Sequence, residues 1–221
     1  MARRTKAEAE QTRHALLDAA ERLFQERGVS RTTLQDIATA AGTTRGAIYW
    51  HFHDKADLFN AMMDRVTLPL ERTFTELSAC DDRDPEALLR QLMDALVSAL
   101  RATVHDPQTG RVFEIATHKV EYVNDMQPVV QRCNEAMGQF RLHIQDVLGR
   151  AAARRGLVLP MPVADAALGL TTLFDGLLVG WLRDRRAFDL LTVGEAALRC
   201  YLQGLGLPVP ASTGVEPATA A

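Results

Sequence analysis

Apolar residues recur at three- and four-residue intervals from Ala9 to about Leu205, and no stretch alternates with period 2 between hairpin dipeptides. A chain with only the first pattern buries its apolar surface by laying helix stripe against helix stripe, so an all-α fold of nine helices is expected. The first helix spans about 9–27, with Leu16, Leu17, Ala20, Leu23 and Phe24 on one face and Gly28 at its end. Thr33 and Asp36 have capping-box spacing for a short second helix that turns Ile37, Ala38 and Ala41 inward. Gly42 reverses the chain, and the hydroxyls of Thr43 and Thr44 open a third helix, about Thr44 to Trp50, that buries Ala47 and Ile48.

Asp54 caps a long fourth helix carrying Leu58, Phe59, Met62, Met63, Val66, Leu70, Phe74 and Leu77, which Pro69 is expected to bend. A linker with Asp81, Asp82 and Asp84 leads to Pro85, at the head of a helix bearing Leu88, Leu92, Leu96 and Leu100. Residues 105–110 read as a breaker before a helix from about Arg111 to Tyr122, and 124–128 introduce another that ends near Arg155. After a break at 156–162, two more helices are expected over 163–182 and 193–205. Residues 207–221, with Pro208, Pro210 and Pro217, are too poor in apolar surface to order themselves and are expected to be a disordered tail.

Cys80, Cys133 and Cys200 are odd in number and lack metal or redox spacing, which fits a reducing cytoplasm. No secretory leader opens the chain, and the apolar run 168–182, broken by Asp175, is too short for a membrane span. There is no nucleophile elbow, phosphate loop, HExxH or dinucleotide fingerprint, and His51 and His53 lie on different sides of a helix, so no catalytic residue, metal site or cofactor is expected.

The net charge of −3 hides an asymmetry. Residues 1–60 hold nine basic against eight acidic side chains, while 61–221 hold sixteen against twenty. Two short helices joined by a Gly-containing turn and preceded by a packing helix make a helix-turn-helix, whose second helix enters the major groove of double-stranded DNA. The candidate DNA contacts are Thr33, Thr43, Thr44, Arg45, Gly46, Tyr49, Trp50, His51 and Lys55. Hydroxyls suit phosphates, Arg45 suits a guanine edge, the aromatics pack on the backbone, Gly46 allows close approach, and Lys55 adds a cation at a helix N-terminus. Leu34, Ile37, Ala38, Ala47, Ile48 and Phe52 read as core, and Arg3, Arg4, Lys6 and Arg13 as a basic arm.

The run Thr32-Thr33-Leu34-Gln35-Asp36-Ile37-Ala38, then Ala41-Gly42-Thr43-Thr44-Arg45-Gly46-Ala47-Ile48-Tyr49-Trp50-His51-Phe52, Lys55 and Leu58-Phe59, resembles the DNA-binding signature of the TetR family of bacterial repressors. The opening residues 1–6 and the string His118-Lys119-Val120-Glu121-Tyr122 further resemble its AcrR-like branch, whose members repress multidrug efflux pumps. The resemblance implies a nine-helix fold with an arm and DNA-binding domain over 1–55 and a ligand-binding and dimerisation domain over 56–206. It also implies a cytoplasmic homodimer, without a membrane partner, that is released from a palindromic operator by a small hydrophobic or aromatic inducer.

In the resembled family the last two helices form a four-helix bundle with their symmetry mates. In this chain they present Leu170, Leu173, Leu177 and Trp181, and Ala197, Leu198, Tyr201, Leu202 and Leu205, which can equally complete the monomer core. Val66, Leu70, Leu92, Met93, Leu96, Phe113, Phe140, Ile144, Thr171, Phe174 and Leu178 are candidates to line an inducer pocket, and each also reads as ordinary core. Thr117 and His118 are candidate polar contacts, while Asp175 needs either a ligand or a buried partner such as Arg141. Some AcrR-like pockets carry a glutamate where this chain has Thr67, with Glu71 one turn further on. Other readings are an activator, a ligand-insensitive regulator, or an all-helical carrier that never meets DNA.

Overall fold

A computed structural model describes residues 6–79, 84–120 and 127–209. Among the described residues nine α-helices follow one another without a strand: α1 Lys6–Arg27, α2 Leu34–Ala40, α3 Arg45–His51, α4 Lys55–Ala79, α5 Pro85–His105, α6 Pro107–His118, α7 Gln127–Arg154, α8 Val163–Arg183 and α9 Leu190–Gly204. The arm residues Arg3 and Arg4, Cys80, residues 121–126 and residues 210–221 lie outside the described residues, as does the side chain of Leu70.

Local signals account for most of the boundaries. The capping box at α2 is present, with the Asp36 N–H donating to Thr33 Oγ1 at 3.1 Å and the Thr33 N–H donating back to Asp36 Oδ2 at 2.9 Å. Segment 105–110, expected to break the chain, instead starts α6, because Asp106 accepts from the N–H groups of Gln108 and Thr109 and Pro107 takes the first helical position. α4 continues through Pro69 as one helix. An interior proline costs about 3 kcal/mol, and Arg132 of α7 grips the helix on both sides of it, reaching Asp64 at 3.0 Å and Glu71 at 2.9 Å. The Glu71 hydrogen bond raises the Arg132 pKa above its ordinary value.

The apolar side chains form two cores, and the division does not follow the expected boundary at 55/56. One core joins Leu16, Leu17 and Phe24 of α1 to Ile37, Ile48 and the first half of α4, and it takes in Val112 and Ile115 of α6 and Val129 of α7. The other begins at Phe74 of α4 and holds α5, most of α7, α8 and α9. The changeover therefore lies within α4, between Val66 and Phe74. Order also runs past the expected end of the body at 206. Gly206 has a φ of 80°, a left-handed turn that brings Leu207 back onto the core, where it is fully buried and its N–H reaches Leu202 O at 2.9 Å.

α8 is longer than the apolar run 168–182 that it contains. Its 21 residues are long and apolar enough to cross a membrane, with a mean hydropathy of 1.4. It packs nonetheless as a protein helix, with Leu170, Phe174 and Trp181 in the second core.

Candidate nucleic-acid interface and helical body

α2, the turn and α3 form a rigid corner. Gly42 has a φ of 67°, a left-handed conformation that side chains resist, and the following Thr43 N–H reaches back to Ala38 O at 2.9 Å. Thr44 then caps α3 by accepting from the Ala47 N–H at 3.2 Å. Ile48 and Phe52 anchor the inner face of the corner in the first core.

What remains outside is the face expected to meet DNA. Tyr49 is 49% and Trp50 72% exposed, and Thr33, Thr44, Arg45 and Gly46 are exposed beside them. The Arg45 guanidinium lies 5.6 Å from the centre of the Tyr49 ring, one turn along the same face. Trp50 meets the half-buried His51 edge-on at 4.5 Å between ring centres. A Cβ at Gly46 would touch nothing closer than Thr44 Oγ1 at 4.0 Å, so nothing inside the fold demands a glycine there. An exposed Trp, an exposed Tyr and a glycine in the first turn of a helix do little for folding, and they fit a surface made to be covered. Thr43, half-buried, belongs to the turn more than to that surface.

Lys55 is a correction. Its ammonium donates to the carbonyls of Val29 at 2.8 Å, Ser30 at 3.2 Å and Thr32 at 3.2 Å. These contacts engage the charge within the head, so Lys55 braces the loop between α1 and α2 against α4 rather than presenting a cation to phosphate.

Most of the apolar residues expected to line an inducer pocket pack together in the second core. Leu92, Met93, Leu96, Ile144 and Phe174 are buried in the second core, and Phe140 meets Phe74 edge-on at 4.7 Å and the tilted ring of Phe174 at 5.7 Å. Thr171 is buried with its hydroxyl bonded to Ala167 O and Leu168 O, and Leu178 is half-buried beside the same core. Phe113 touches both cores. Val66 sits in the first core, on the wrong side of the changeover to line a cavity in the second. Thr117 spends its hydroxyl on Phe113 O at 2.7 Å, and His118 is exposed at the end of α6.

Asp175 is also corrected. It lies on the exposed face of α8 beside Gly176, and no hydrogen bond or ion pair joins it to Arg141 among the described residues. Nearby apolar chain raises its carboxyl pKa through desolvation, yet more than a third of its surface is open to water, which places it on the surface. An open groove of about 600 Å³ lies elsewhere, between the end of α7 and the 157–163 segment, lined by Ala152, Leu157, Leu159 and Val163 among others.

The residues expected at a dimer face are mostly interior. Leu170, Leu198, Leu202, Leu205 and Trp181 are buried in the second core, and Leu177 packs half-buried against it. The Tyr201 ring crosses α8 at Gly169, where a Cβ would overlap it, and its hydroxyl reaches Ala166 O at 2.9 Å. The physical reason is that α9 packs on both α8 and α5 and consumes this stripe. The outward strip of α8 and α9 is instead Leu168, Thr172, Asp175 and Gly176 with Val193, Ala196, Cys200 and Gly204.

Glu21 carries no motif that singles it out, although it follows Leu17 by four residues and precedes Phe24 by three on the apolar stripe of α1. It is buried and bonded to Arg65 and Gln108.

Comparison with known proteins covers the whole arrangement. The profile of bacterial regulatory proteins of the tetR family matches residues 16–62, and that of the MAATS-type transcriptional repressor C-terminal region matches 86–206. The HTH-type transcriptional repressor BepR of Brucella suis is 37% identical, over 93% of this chain and 97% of its own. NalD of Pseudomonas aeruginosa, described as the secondary repressor of the MexAB-OprM multidrug efflux pump, superposes with a TM-score of 0.81 at 37% identity, covering 90% of this chain and 98% of its own. SmeT, the repressor of the Stenotrophomonas maltophilia multidrug efflux pump SmeDEF, superposes in its triclosan complex with a TM-score of 0.80 at 29% identity, over 94% and 98% of the two chains. The chain therefore belongs to the TetR family of bacterial regulatory proteins, among its MAATS-type repressors of AcrR-like kind, and is a DNA-binding transcriptional repressor.

Proposed function

We propose that this repressor controls a multidrug efflux pump operon, and that it binds a palindromic operator as a cytoplasmic homodimer until a small hydrophobic or aromatic compound releases it. Similarity over about nine-tenths of the chain to NalD and SmeT, both described as repressors of multidrug efflux pumps, carries this reading. The exposed face of α3, with Arg45, Tyr49 and Trp50, supplies the operator contacts, with Thr33, Thr44 and Gly46 at its edge. Two copies of α3 about 34 Å apart would read successive major grooves. The dimer contact in this scheme is the outward strip of α8 and α9. Only 28% of the apolar window of α8 is buried within one chain, and Leu168 is 48% exposed, so a second copy is the cover that this surface calls for.

The inducer site is the aromatic cluster of Phe74, Phe140 and Phe174 with Met93 beside it in the same core. A closed apolar core with adaptable Met and Phe side chains opens for a hydrophobic ligand by repacking, and the ligand shifts the dimer only as far as it prefers the opened form. Catalysis has no part in this scheme. The test is a gel-shift titration of DNA upstream of the gene and its neighbours, with and without triclosan, the ligand of the related SmeT complex. A shifted efflux-pump promoter that triclosan releases is the expected result, and a promoter of unrelated function as the only shifted fragment would overturn the pump assignment.

A further inference from the structure

Glu21 is the buried acid where α1, α4 and α6 meet, its side chain 4% exposed. A carboxylate so far from water needs partners, and it finds them on two other helices. Oε1 accepts from Arg65 Nη1 of α4 at 3.0 Å and from Gln108 Nε2 of α6 at 2.8 Å. The same Arg65 Nη1 also donates to Asp18 Oδ1 at 2.7 Å. Oε2 faces Arg111 of α6, whose Nε stands 3.5 Å away, buried and without a hydrogen-bond partner among the described residues.

The place of this node in the fold gives it consequence. α1 packs on α2 and α3, whereas α6 follows α5 of the body and its Glu114 is tied to Arg185 beyond α8 at 3.0 Å. Val112 and Ile115 of the same helix enter the core of the head. α6 thus has one face in the head and one anchor in the body, and Glu21 is the charged contact between them. The node is also half-made, with both bonds on Oε1 and none at Arg111 Nε. This 3.5 Å ion pair is longer than the hydrogen bonds on Oε1, so of the contacts at Glu21 it changes most when α6 is displaced by a fraction of an ångström.

We propose that Glu21 is a positioning residue for the reading head: it fixes the angle of α1 on α6, and its Arg111 contact registers movement of α6 at α3. The proposal rests on the DNA-reading role of α3. The test compares two duplexes, the operator found upstream of the gene and the same operator lengthened by one base pair at its centre. The wild type discriminates between them because its two heads are held at one spacing. Glu21→Gln and Arg111→Gln each reduce that discrimination by about fivefold or more, the lower end of a typical coupling between sites. The double variant falls by less than the product of the two single losses, because the Glu21–Arg111 contact is common to both changes. Mere loss of folded protein lowers affinity for both duplexes by the same factor and leaves the ratio intact. Should Glu21→Gln fail to fold, Arg111→Gln, one-third exposed, carries the test alone. A ratio equal to the wild type in Arg111→Gln overturns the proposal. Failure of the wild type to bind any upstream duplex overturns the DNA-reading role itself.

Discussion

On α3, Arg45, Gly46, Tyr49 and Trp50 stand outside the core formed by Ile48 and Phe52, whereas in the body Phe74, Phe140 and Phe174 are part of the core. In the head, then, the residues assigned to binding are separate from those that fold the domain. In the body the same side chains are assigned both tasks. The difference teaches that head and body have to be probed by different substitutions. A head variant can lose its ligand and keep its fold, while a body variant that alters the inducer site also alters stability.

The largest effect that would sharpen this contrast is Phe52→Ala, which empties the fully packed base of the head and costs about 3–5 kcal/mol in urea-induced unfolding. Gly169→Ala comes next. Its Cβ would lie within the Tyr201 ring, and overpacking of this kind costs about 1–3 kcal/mol, relieved when Tyr201→Ala is added. Asp106→Asn removes a capping charge whose pKa is lowered chiefly by the Thr109 hydroxyl bond. A lowered folded pKa stabilises above the unfolded value and loses that contribution as pH falls through it, so this variant should show a flatter loss of melting temperature below about pH 4. The smallest effects on the fold break the comparison if they are absent on DNA. Gly46→Ala should gain up to about 1 kcal/mol of head stability from helix propensity while weakening operator binding, and Trp50→Ala should shift stability by less than about 0.5 kcal/mol while doing the same. A Gly46→Ala protein that binds the operator as well as the wild type would show that close approach to the groove does not require that glycine.

Much of the head is legible in the sequence because its signals are local. Thr33 and Asp36 sit three residues apart and Gly42 stands at the turn, and each does what the spacing implies. The role of Lys55 is not legible, because its acceptors lie 23 to 26 residues earlier, where no local pattern reaches. In the body, periodicity identifies the stripes on α8 and α9 but not which neighbour covers them. Leu198 and Leu202 face inward because α9 packs on α5 as well as on α8, a long-range fact. At Leu207 the composition of the tail conceals a left-handed Gly206 that returns one apolar residue to the core. Glu21 is legible in principle, since a lone charge on an apolar stripe signals a buried partner.

The central claim is that the outward face of α3 reads DNA without contributing to the fold. Fluorescence anisotropy of the wild type and Arg45→Ala against the upstream operator and a scrambled duplex of equal length, alongside thermal unfolding of both proteins, tests it most directly. Arg45→Ala should melt with the wild type and lose about tenfold or more of its preference for the operator, the worth of one bidentate base contact. An unchanged preference, or a loss explained by a lower melting temperature, would contradict the claim.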